Sequence, residues 1–581
     1  MSKKLIALFM AAMMLLSVAA ACGNKTPAET PTQPTTPAPT TPAETPTTPA
    51  PTEPVDPDAD KYGGELNVGT ANATNTMDLH KNSGTVGNLQ WSLHVFEPLA
   101  VQDANGKSYG VLADYEASPD GLKHTYTLKK GIKFSNGEEV TMEDVEASIR
   151  RGWAAISTES SFNKYWKDAK VTFTDTQFIV EYEKFNINFI PGFHAAGSTA
   201  YHITTKEVCE KYPYVGGTTA ENGITWGGEC AVNINDLSDV IGTGPYVMTK
   251  WTDNAEIVLE RNALYVPITE GNEDAIGVAA PRKAYLDKIV WSYNADPASR
   301  TAAMMAGEYD AVAVIESSME DALLATGVEA YDPGTSWTHG IYFNLNEANA
   351  DSPIADVNVR KAIMAALDMN AIMMVVANGN AELINLEPYA VAKTSAYAST
   401  KMEDSGLWNA ADPDLAKQYL AQSSYSGEPI VYMCASSGWS YNETMAVVPQ
   451  LEAIGLNIEL KPVDSGSFSS MRSDPAAGFD ISCWNSQKKE DNPVLQSTFV
   501  TGSQGWWSSD VKTAAIKTMQ STPTGSAESI AAYNDFLDAV IDEVPYILFG
   551  HPTGCQYRAE NLETNQNGSI AYYFWNSYWE D

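Results

Sequence analysis

The stretch from Val111 to Arg151 commits this chain to mixed α/β structure before anything else is considered. Pro119-Asp120-Gly121 is a turn, with Gly121 free to take the positive φ that a tight turn needs. Thr125-Tyr126-Thr127-Leu128 is β-prone. Ile132 to Phe134 reads as a second short strand, closed by Ser135-Asn136-Gly137, where Asn-Gly suits a tight turn between strands. Thr141 then serves as a helix N-cap. Asp144, three residues on, reaches back as a shorter relative of the capping-box Glu, and Glu143 and Asp144 place negative charge on the first turn. Val145 and Ile149 lie one turn apart on what would be the buried face.

Lys3 and Lys4 precede an apolar run from Leu5 to Ala21, the pattern of a secretory signal peptide over residues 1–21. The run is long enough to span a bilayer, but the Ala19-Ala20-Ala21-Cys22-Gly23 ending argues for cleavage. It resembles a lipobox, with Ala19 where Leu is usual, so Cys22 is expected to carry lipid and to become the first mature residue. An ordinary cleaved signal is the alternative. A diacylated Cys has enough buried chain for stable anchoring. Residues 24–60 are almost entirely Thr, Pro, Ala and Glu, so that Cys22 and the tether together occupy 22–60. Such a stretch cannot form a core and reads as a disordered tether. As a polyproline helix it would reach on the order of 100 Å at ~3.1 Å per residue. A spacer of this kind suits a lipoprotein standing off a Gram-positive membrane.

Roughly 520 residues follow the tether, more than a single core of ~250–300 residues accommodates, so at least two lobes are expected. A formal charge of -37 excludes nucleic acid as a natural partner and fits solubility outside a cell. Besides Cys22 there are five cysteines, Cys209, Cys230, Cys434, Cys483 and Cys555, whose spacing matches no zinc pattern. Secretion would permit Cys209 to pair with Cys230, or Cys434 with Cys483, and the odd count leaves at least one thiol free. The seven histidines are scattered, and there is no His-Glu-x-x-His and no Gly-x-Ser-x-Gly. Neither metal, cofactor nor catalysis is expected.

The wording of the first stretch is more specific than its physics. Leu112-Ala113, Ser118-Pro119-Asp120-Gly121-Leu122, Tyr126 through Gly137 and Glu143-Asp144-Val145 resemble a signature of the extracytoplasmic solute-binding proteins, family 5 (peptide/nickel-binding class), which feed ABC importers. Further runs agree with it: Ile241-Gly242-Thr243-Gly244-Pro245-Tyr246-Val247, then Ile257 to Asn262 with Tyr265; Ala306-Gly307-Glu308-Tyr309-Asp310-Ala311; Ile341-Tyr342-Phe343-Asn344; and Val359-Arg360-Lys361-Ala362 with Ala366-Leu367-Asp368. The glycines of Gly242-Thr243-Gly244 suit a tight turn. They form no phosphate loop, since no Lys-Ser/Thr follows and no helix opens there.

The resemblance implies an α/β, two-lobe periplasmic-binding-protein-like fold of the cluster C type, with a hinge and a discontinuous first lobe. Lobe I would run over 61–336, with an inserted subdomain at about 104–235. Lobe II would cover 337–543, and 544–581 would return to lobe I, with Val544 to Phe549 as the returning strand. Helices are expected at about 297 to 306, at 356 to 368 with Asp356 as cap, from Asp412-Pro413-Asp414, at 446 to 454 and at 527 to 543. Arg360 reads as a structural partner rather than a ligand contact.

Function follows from the same resemblance. Such proteins capture a solute in the interlobe cleft by hinge closure and hand it to membrane permease subunits, acting as monomers. Peptide is the first expectation for the cargo and an oligosaccharide the second. A ligand-sensing receptor of the same fold, and more remotely an extracellular hydrolase, are the alternatives. In peptide-binding relatives an Asp shortly after a Phe-Asp-x-x-x-x-Trp strand holds the ligand's amine. Here Gln487-Lys488-Lys489 fills that stretch, leaving Glu490 or Asp491 as substitutes. Asn75 and Thr76, in the loop after the first strand, and the aromatic residues Trp439, Trp484 and Trp506 complete the candidate ligand-binding set, with Tyr441 and Trp507 nearby. Aromatic faces stack on sugars, peptide side chains and cations alike.

Overall fold

The computed structural model describes residues 57–580 except 75, 82–85, 104–105, 196, 268–271, 273, 332–336, 378, 390, 392–394, 437, 488–492, 496–504, 553–554 and 565–572. The expected signal peptide, Cys22 and all but the last residues of the expected tether therefore lie outside the described residues. Within it, the chain first lays down β1 (Glu65–Thr70). It then leaves for β2 (Ala113–Ala117), β3 (Lys123–Leu128), α1 (Met142–Ala154), β4 (Ala169–Phe173) and β5 (Gln177–Tyr182). It comes back as β6 (Tyr246–Thr252), β7 (Glu256–Arg261), β8 (Lys288–Tyr293), α2 (Pro297–Met305), β9 (Ala311–Val312) and β10 (Glu329–Tyr331). Next come β11 (Trp337–Phe343), α3 (Val357–Ala366), β12 (Ile384–Asn385), β13 (Pro429–Ala435), α4 (Trp439–Ala453), β14 (Asn457–Val463), α5 (Ser465–Met471) and β15 (Ile481–Gln487). The chain then runs through α6 (Ala527–Glu543), β16 (Tyr546–Pro552) and β17 (Gln556–Arg558).

Among the described residues these strands make three main sheets. One has seven strands in the order β6-β7-β8-β1-β9-β17-β10, one has six in the order β12-β16-β11-β15-β13-β14, and one has four in the order β2-β3-β5-β4. The strand-turn-helix unit forms where the residues placed it. Thr141 Oγ1 accepts the Asp144 N–H at 3.3 Å, while the Asp144 carboxylate accepts the Thr141 N–H at 3.0 Å, completing the capping box. Val145 and Ile149 are fully buried. Ile132 to Phe134 does not become a strand; a single bridge between Lys133 and Glu139 is all that closes its Asn-Gly turn. The four-stranded sheet also touches the six-stranded one, since Ile187, just past β5, is buried in the latter's core.

The six-stranded sheet positions the candidate site. Residues 338–343 of β11 are all buried, a continuous run rather than an alternation, because the sheet is covered on both faces. β13 lies between β14 and β15 and is parallel to both. The path β13-α4-β14 therefore steps one way across the sheet and β14-α5-β15 steps back. Right-handed crossovers then put α4 and α5 on opposite faces. The side chains agree. Thr444 of α4 reaches Cys483 on one face at 3.1 Å, whereas Tyr342, on the other face, donates to the carbonyl of Arg472 just past α5 at 2.7 Å.

Two connections join the seven- and six-stranded sheets, from β10 to β11 and from β16 to β17. Trp337, the first residue of β11, pairs with Gln487, the last of β15. Gln556, the first of β17, pairs with Tyr331, the last of β10, and Val312 at the carboxyl end of β9 pairs with Tyr557. The carboxyl ends of β1, β8 and β9 and those of β13, β14 and β15 thus all lie at the crossings. In open α/β sheets that is the crevice where ligands bind.

Three expectations change. The strand after α6 does not re-enter the first sheet, because β16 pairs with β11, Ile341 opposite Ile547, as an inner strand whose residues 546–551 are all buried. The return falls to β17. Among the described residues the expected pairings do not form: Cys209, Cys230, Cys434 and Cys483 are joined in no disulfide. The glycines of the Gly242-Thr243-Gly244 run serve close approach rather than turn formation. A Cβ at Gly242 would stand 1.9 Å from the carbonyl oxygen of Val95, and one at Gly244 2.3 Å from that of His94. Arg360 is structural, as read. Its guanidinium donates to the carbonyls of Ile354, Ala355, Glu543 and Val544 at 2.6 to 3.0 Å, capping the end of α6.

Candidate ligand-binding cleft

On the six-stranded side, α4 begins at Gly438, whose φ of 79° and missing side chain leave the helix uncapped by any hydroxyl or carboxylate. Trp439 is the first helical residue and Glu443 follows one turn later on the same face. Both meet His339 near the start of β11. The Trp439 ring stands edge-on to the imidazole with centroids 5.4 Å apart, and His339 Nδ1 lies 2.8 Å from Glu443 Oε2. Glu443 is fully enclosed. Burial pushes its carboxyl pKa up, and the hydrogen bond and charge of His339 offset only part of that. Burial, followed by the neighbouring charge of Glu443, raises the Cys483 thiol well above its usual range. Across the strand ends Trp439 lies 6.4 Å from Phe468 of α5, and the Arg472 guanidinium lies over that ring at 5.5 Å. His339, Trp439, Phe468 and Arg472 thus form one continuous strip. Tyr441 and Trp337 at its margin are 37% and 46% exposed.

On the seven-stranded side, the loop after β1 is tied down by its own polar groups. Gln90 Nε2 donates to Thr70 Oγ1 at 2.8 Å, and Thr74 Oγ1 donates to the carbonyl of Gly87 at 2.6 Å. Thr76 is buried and its hydroxyl accepts the Asp78 N–H at 3.1 Å. Asp78 in turn clasps Arg151 of α1 through two bonds of 2.7 and 2.6 Å. Burial alone would raise the Asp78 carboxyl pKa, but the hydrogen bonds and charge of Arg151 hold it below the usual range. His80 beside them is pushed down to about 3 by burial and then by Arg151, so it is neutral. A small cavity of about 20 Å³ opens at this end of β1, lined by Thr70, Asn72, Gln90, Trp251 and Tyr293.

The residues chosen from sequence scatter. Trp439 lies half-buried on the strip. Trp484 is only 1% exposed and belongs to the core of the six-stranded sheet, opposite Gly340. Trp506 is half-buried against Phe479, with centroids 6.4 Å apart, and adopts a φ of 52°. Trp507 is buried, its indole N–H donated to Glu543 at 2.6 Å. Thr76 is buried, with its hydroxyl accepting the Asp78 N–H. Asn75, Glu490 and Asp491 lie outside the described residues. The sequence reading missed His339, Glu443, Phe468 and Arg472. The one signal in the sequence was the i, i+4 spacing of Trp439 and Glu443, which becomes meaningful only if α4 starts as early as Gly438.

A family model described as bacterial extracellular solute-binding proteins, family 5 Middle, matches residues 108–506. The chain belongs to this family. Family 5 members are extracytoplasmic binding proteins of ABC transporters, and the fold is their two-lobe α/β fold. The chain is 25% identical over 398 residues to the probable peptide ABC transporter periplasmic-binding protein y4tO of Sinorhizobium fredii, covering 66% of this chain and 67% of that one. It is 24% identical over 330 residues to the oligopeptide-binding protein OppA of Bacillus subtilis, covering 56% of each. The glutathione-binding protein GsiB of Escherichia coli is 23% identical over 376 residues, covering 63% of each. The matches thus span from just over half to two thirds of these relatives. Among solved structures, the substrate-binding protein CtaP of Listeria monocytogenes superposes with a TM-score of 0.70 at 19% identity, covering 89% of this chain and 100% of that one. NikA of Brucella suis, in complex with Fe(III)-EDTA, does so at 0.64 and 20%, covering 88% and 97%. Among the described residues no helix is long and apolar enough to cross a membrane.

Proposed function

We propose that this chain is the lipid-anchored cargo receptor of an ABC importer and that its cargo is peptide, captured between the carboxyl ends of the two sheets' strands. The observation that carries the reading is the strip of His339, Trp439, Phe468 and Arg472 at the crossings between the sheets. It offers aromatic faces and a cation at the place where open α/β sheets bind ligands. The names of the curated relatives, a probable peptide-binding protein and an oligopeptide-binding protein, favour peptide over other solutes. In this reading the lobes close about the two crossings between the sheets, Cys22 holds the chain to the membrane, and the Thr/Pro-rich segment sets its reach. The cargo leaves through permease subunits, and this chain catalyses nothing.

Exposed aromatic rings keep an oligosaccharide as the second reading, since Trp337 and Tyr441 present open faces beside the strip. The deciding experiment is thermal unfolding of the whole chain in detergent against a peptide pool and an oligosaccharide pool. A cargo at ~100 times its dissociation constant adds about 2.7 kcal/mol of stability. A shift with peptides alone is expected. A shift with glycans alone would overturn the peptide reading.

A further inference from the structure

Ile187 belongs to one part of the chain and is buried in another. It sits just past β5, on the four-stranded subdomain, yet it joins the apolar core of the six-stranded half and is 5% exposed. Phe189, two residues on, faces its own subdomain's core instead. Phe185, two residues before, is half-buried against the six-stranded core as well. The tip that carries Phe185 and Ile187 is held by its own subdomain. Asn186 Nδ2 donates to the carbonyl of Lys164 at 3.2 Å, and Asn186 Oδ1 accepts the Asn188 N–H at 3.0 Å. The Phe185 ring lies against the Pro119-Asp120-Gly121 turn, where a Cβ on Gly121 would stand 2.9 Å from it. The receiving surface is fixed too. The Gly525 N–H donates to the Tyr397 hydroxyl at 3.1 Å, and that hydroxyl is 2.6 Å from Ser529 Oγ at the start of α6. α6 has 17 residues and β16, which follows it almost directly, has seven. At ~25 Å and ~23 Å they are nearly equal in length, so the start of α6 lies at the end of the lobe where β16 crosses over. Open space flanks the contact on both sides. Phe185 and Ile187 line a hollow of about 330 Å³ with Ser395, Ala396, Thr524 and Gly525, and another of about 1100 Å³ with Gln520. The contact is a narrow apolar bridge that can part without opening either core.

We propose that the Phe185–Ile187 tip is a latch by which the four-stranded subdomain holds the two halves closed, so that this subdomain sets how readily the cleft opens. Two connections alone leave the halves free to turn about the line that joins them. A third contact, made by neither connection, must part before they turn, and parting exposes Ile187 to water. The proposal rests on the reading above only in taking the halves to move about the two crossings. Its test needs no cargo.

The test is a distance measurement across the contact by pulsed electron resonance. Nitroxides are placed on Lys170→Cys and Lys517→Cys, two exposed positions, in the full chain carrying Cys22→Ser, Cys230→Ser and Cys555→Ser. Cys209, Cys434 and Cys483 are buried and escape the label. With the native tip a short distance should predominate. Ile187→Ser should raise the ratio of long to short distances on the order of tenfold, the range for one buried aliphatic side chain. Ile187→Val, which removes a single methylene, should change the ratio by less than about fourfold. Ala396→Asp brings a charge to the contact from the other side and should also raise it. Ala396 is exposed, so this variant decides the matter should Ile187→Ser fail to fold. A rise in either variant sustains the latch. Unchanged distances in both overturn it, as does a native tip already spread toward long distances. Failure of the peptide pool to bind would overturn the peptide reading and leave this measurement untouched.

Discussion

His339 and Glu443 form a closed pair beneath the rim of the cleft: Nδ1 and Oε2 are 2.8 Å apart, and the two side chains are 6% and 0% exposed. They are 104 residues apart in sequence, one on a strand and the other on a helix that packs over it. Removing one partner of a buried pair leaves the other's polar group without compensation, which costs about 3–5 kcal/mol. Glu443→Ala should therefore destabilise the protein by about that amount in urea unfolding at pH 7. Glu443→Gln keeps an acceptor for the imidazole and should cost less than about 1.5 kcal/mol. Equal losses in the two variants would mean that packing, and not the pair, is what Glu443 contributes.

A second buried pair ties the loop after β1 to α1. Asp78 and Arg151 are doubly bonded and 0% and 3% exposed. Arg151→Met leaves the Asp78 carboxylate buried alone and should cost about 3–5 kcal/mol. Adding Asp78→Leu should recover much of that loss, because replacing both charges avoids the uncompensated one. The double-mutant cycle should show a coupling well above the ~0.5 kcal/mol of independent sites. Additive losses would remove this pair from the account of how the loop is held.

Acid sensitivity should trace to histidines buried as neutral rings. His202 is 1% exposed, and neither of its ring nitrogens has a hydrogen-bond partner. Burial, then the charge of Arg282, pushes its pKa down to about 3. The unfolded chain takes up the proton near pH 6.5 and the folded chain does not. The stability gained from a neutral His202 is therefore complete above pH 6.5 and is lost as pH falls from there toward 3. The slope is roughly 1.4 kcal/mol per pH unit for each such group. His80, His94 and His194 are pushed down to about 3 in the same way and add their own slopes. His202→Phe should gain on wild type by roughly 1.4 kcal/mol per unit between pH 6 and pH 4, with the shared slopes cancelling. A difference that stays constant with pH would show that His202 takes up its proton in the fold.

Most of the scaffold was legible because its signals are local. The Thr141–Asp144 box, the Asp356 and Asp412 caps and the span of α6 each depend on a few adjacent residues. Val544 to Phe549 was legible as a strand but not as a member of the six-stranded sheet, since pairing with β11 is decided by residues two hundred positions away. The start of α4 was missed because Gly438 offers no capping side chain, and with it went the turn that aligns Trp439 and Glu443 over His339. Arg472 looked like any surface cation. Only packing shows that two of its donor atoms are buried without partners. The aromatic residues were the least decidable, because a tryptophan in a core and a tryptophan in a cleft have the same sequence signature.

Trp439 and Trp484 separate those two roles. Trp484 is fully enclosed in the six-stranded sheet, and its replacement by alanine leaves a cavity the core cannot close. Trp484→Ala should cost about 3–5 kcal/mol of folding stability. Trp439 is half-buried at the first turn of α4, touching His339 and Phe468 at its edges. Trp439→Ala should cost less than about 1.5 kcal/mol in folding, while weakening cargo binding roughly tenfold through the loss of one aromatic face. The two measurements are urea unfolding without ligand and calorimetric titration with the cargo found in the pool screen. Loss of affinity at unchanged stability places Trp439 on the cargo. Unchanged affinity would move the binding surface off the His339–Arg472 strip and toward the open rings of Trp337 and Tyr441.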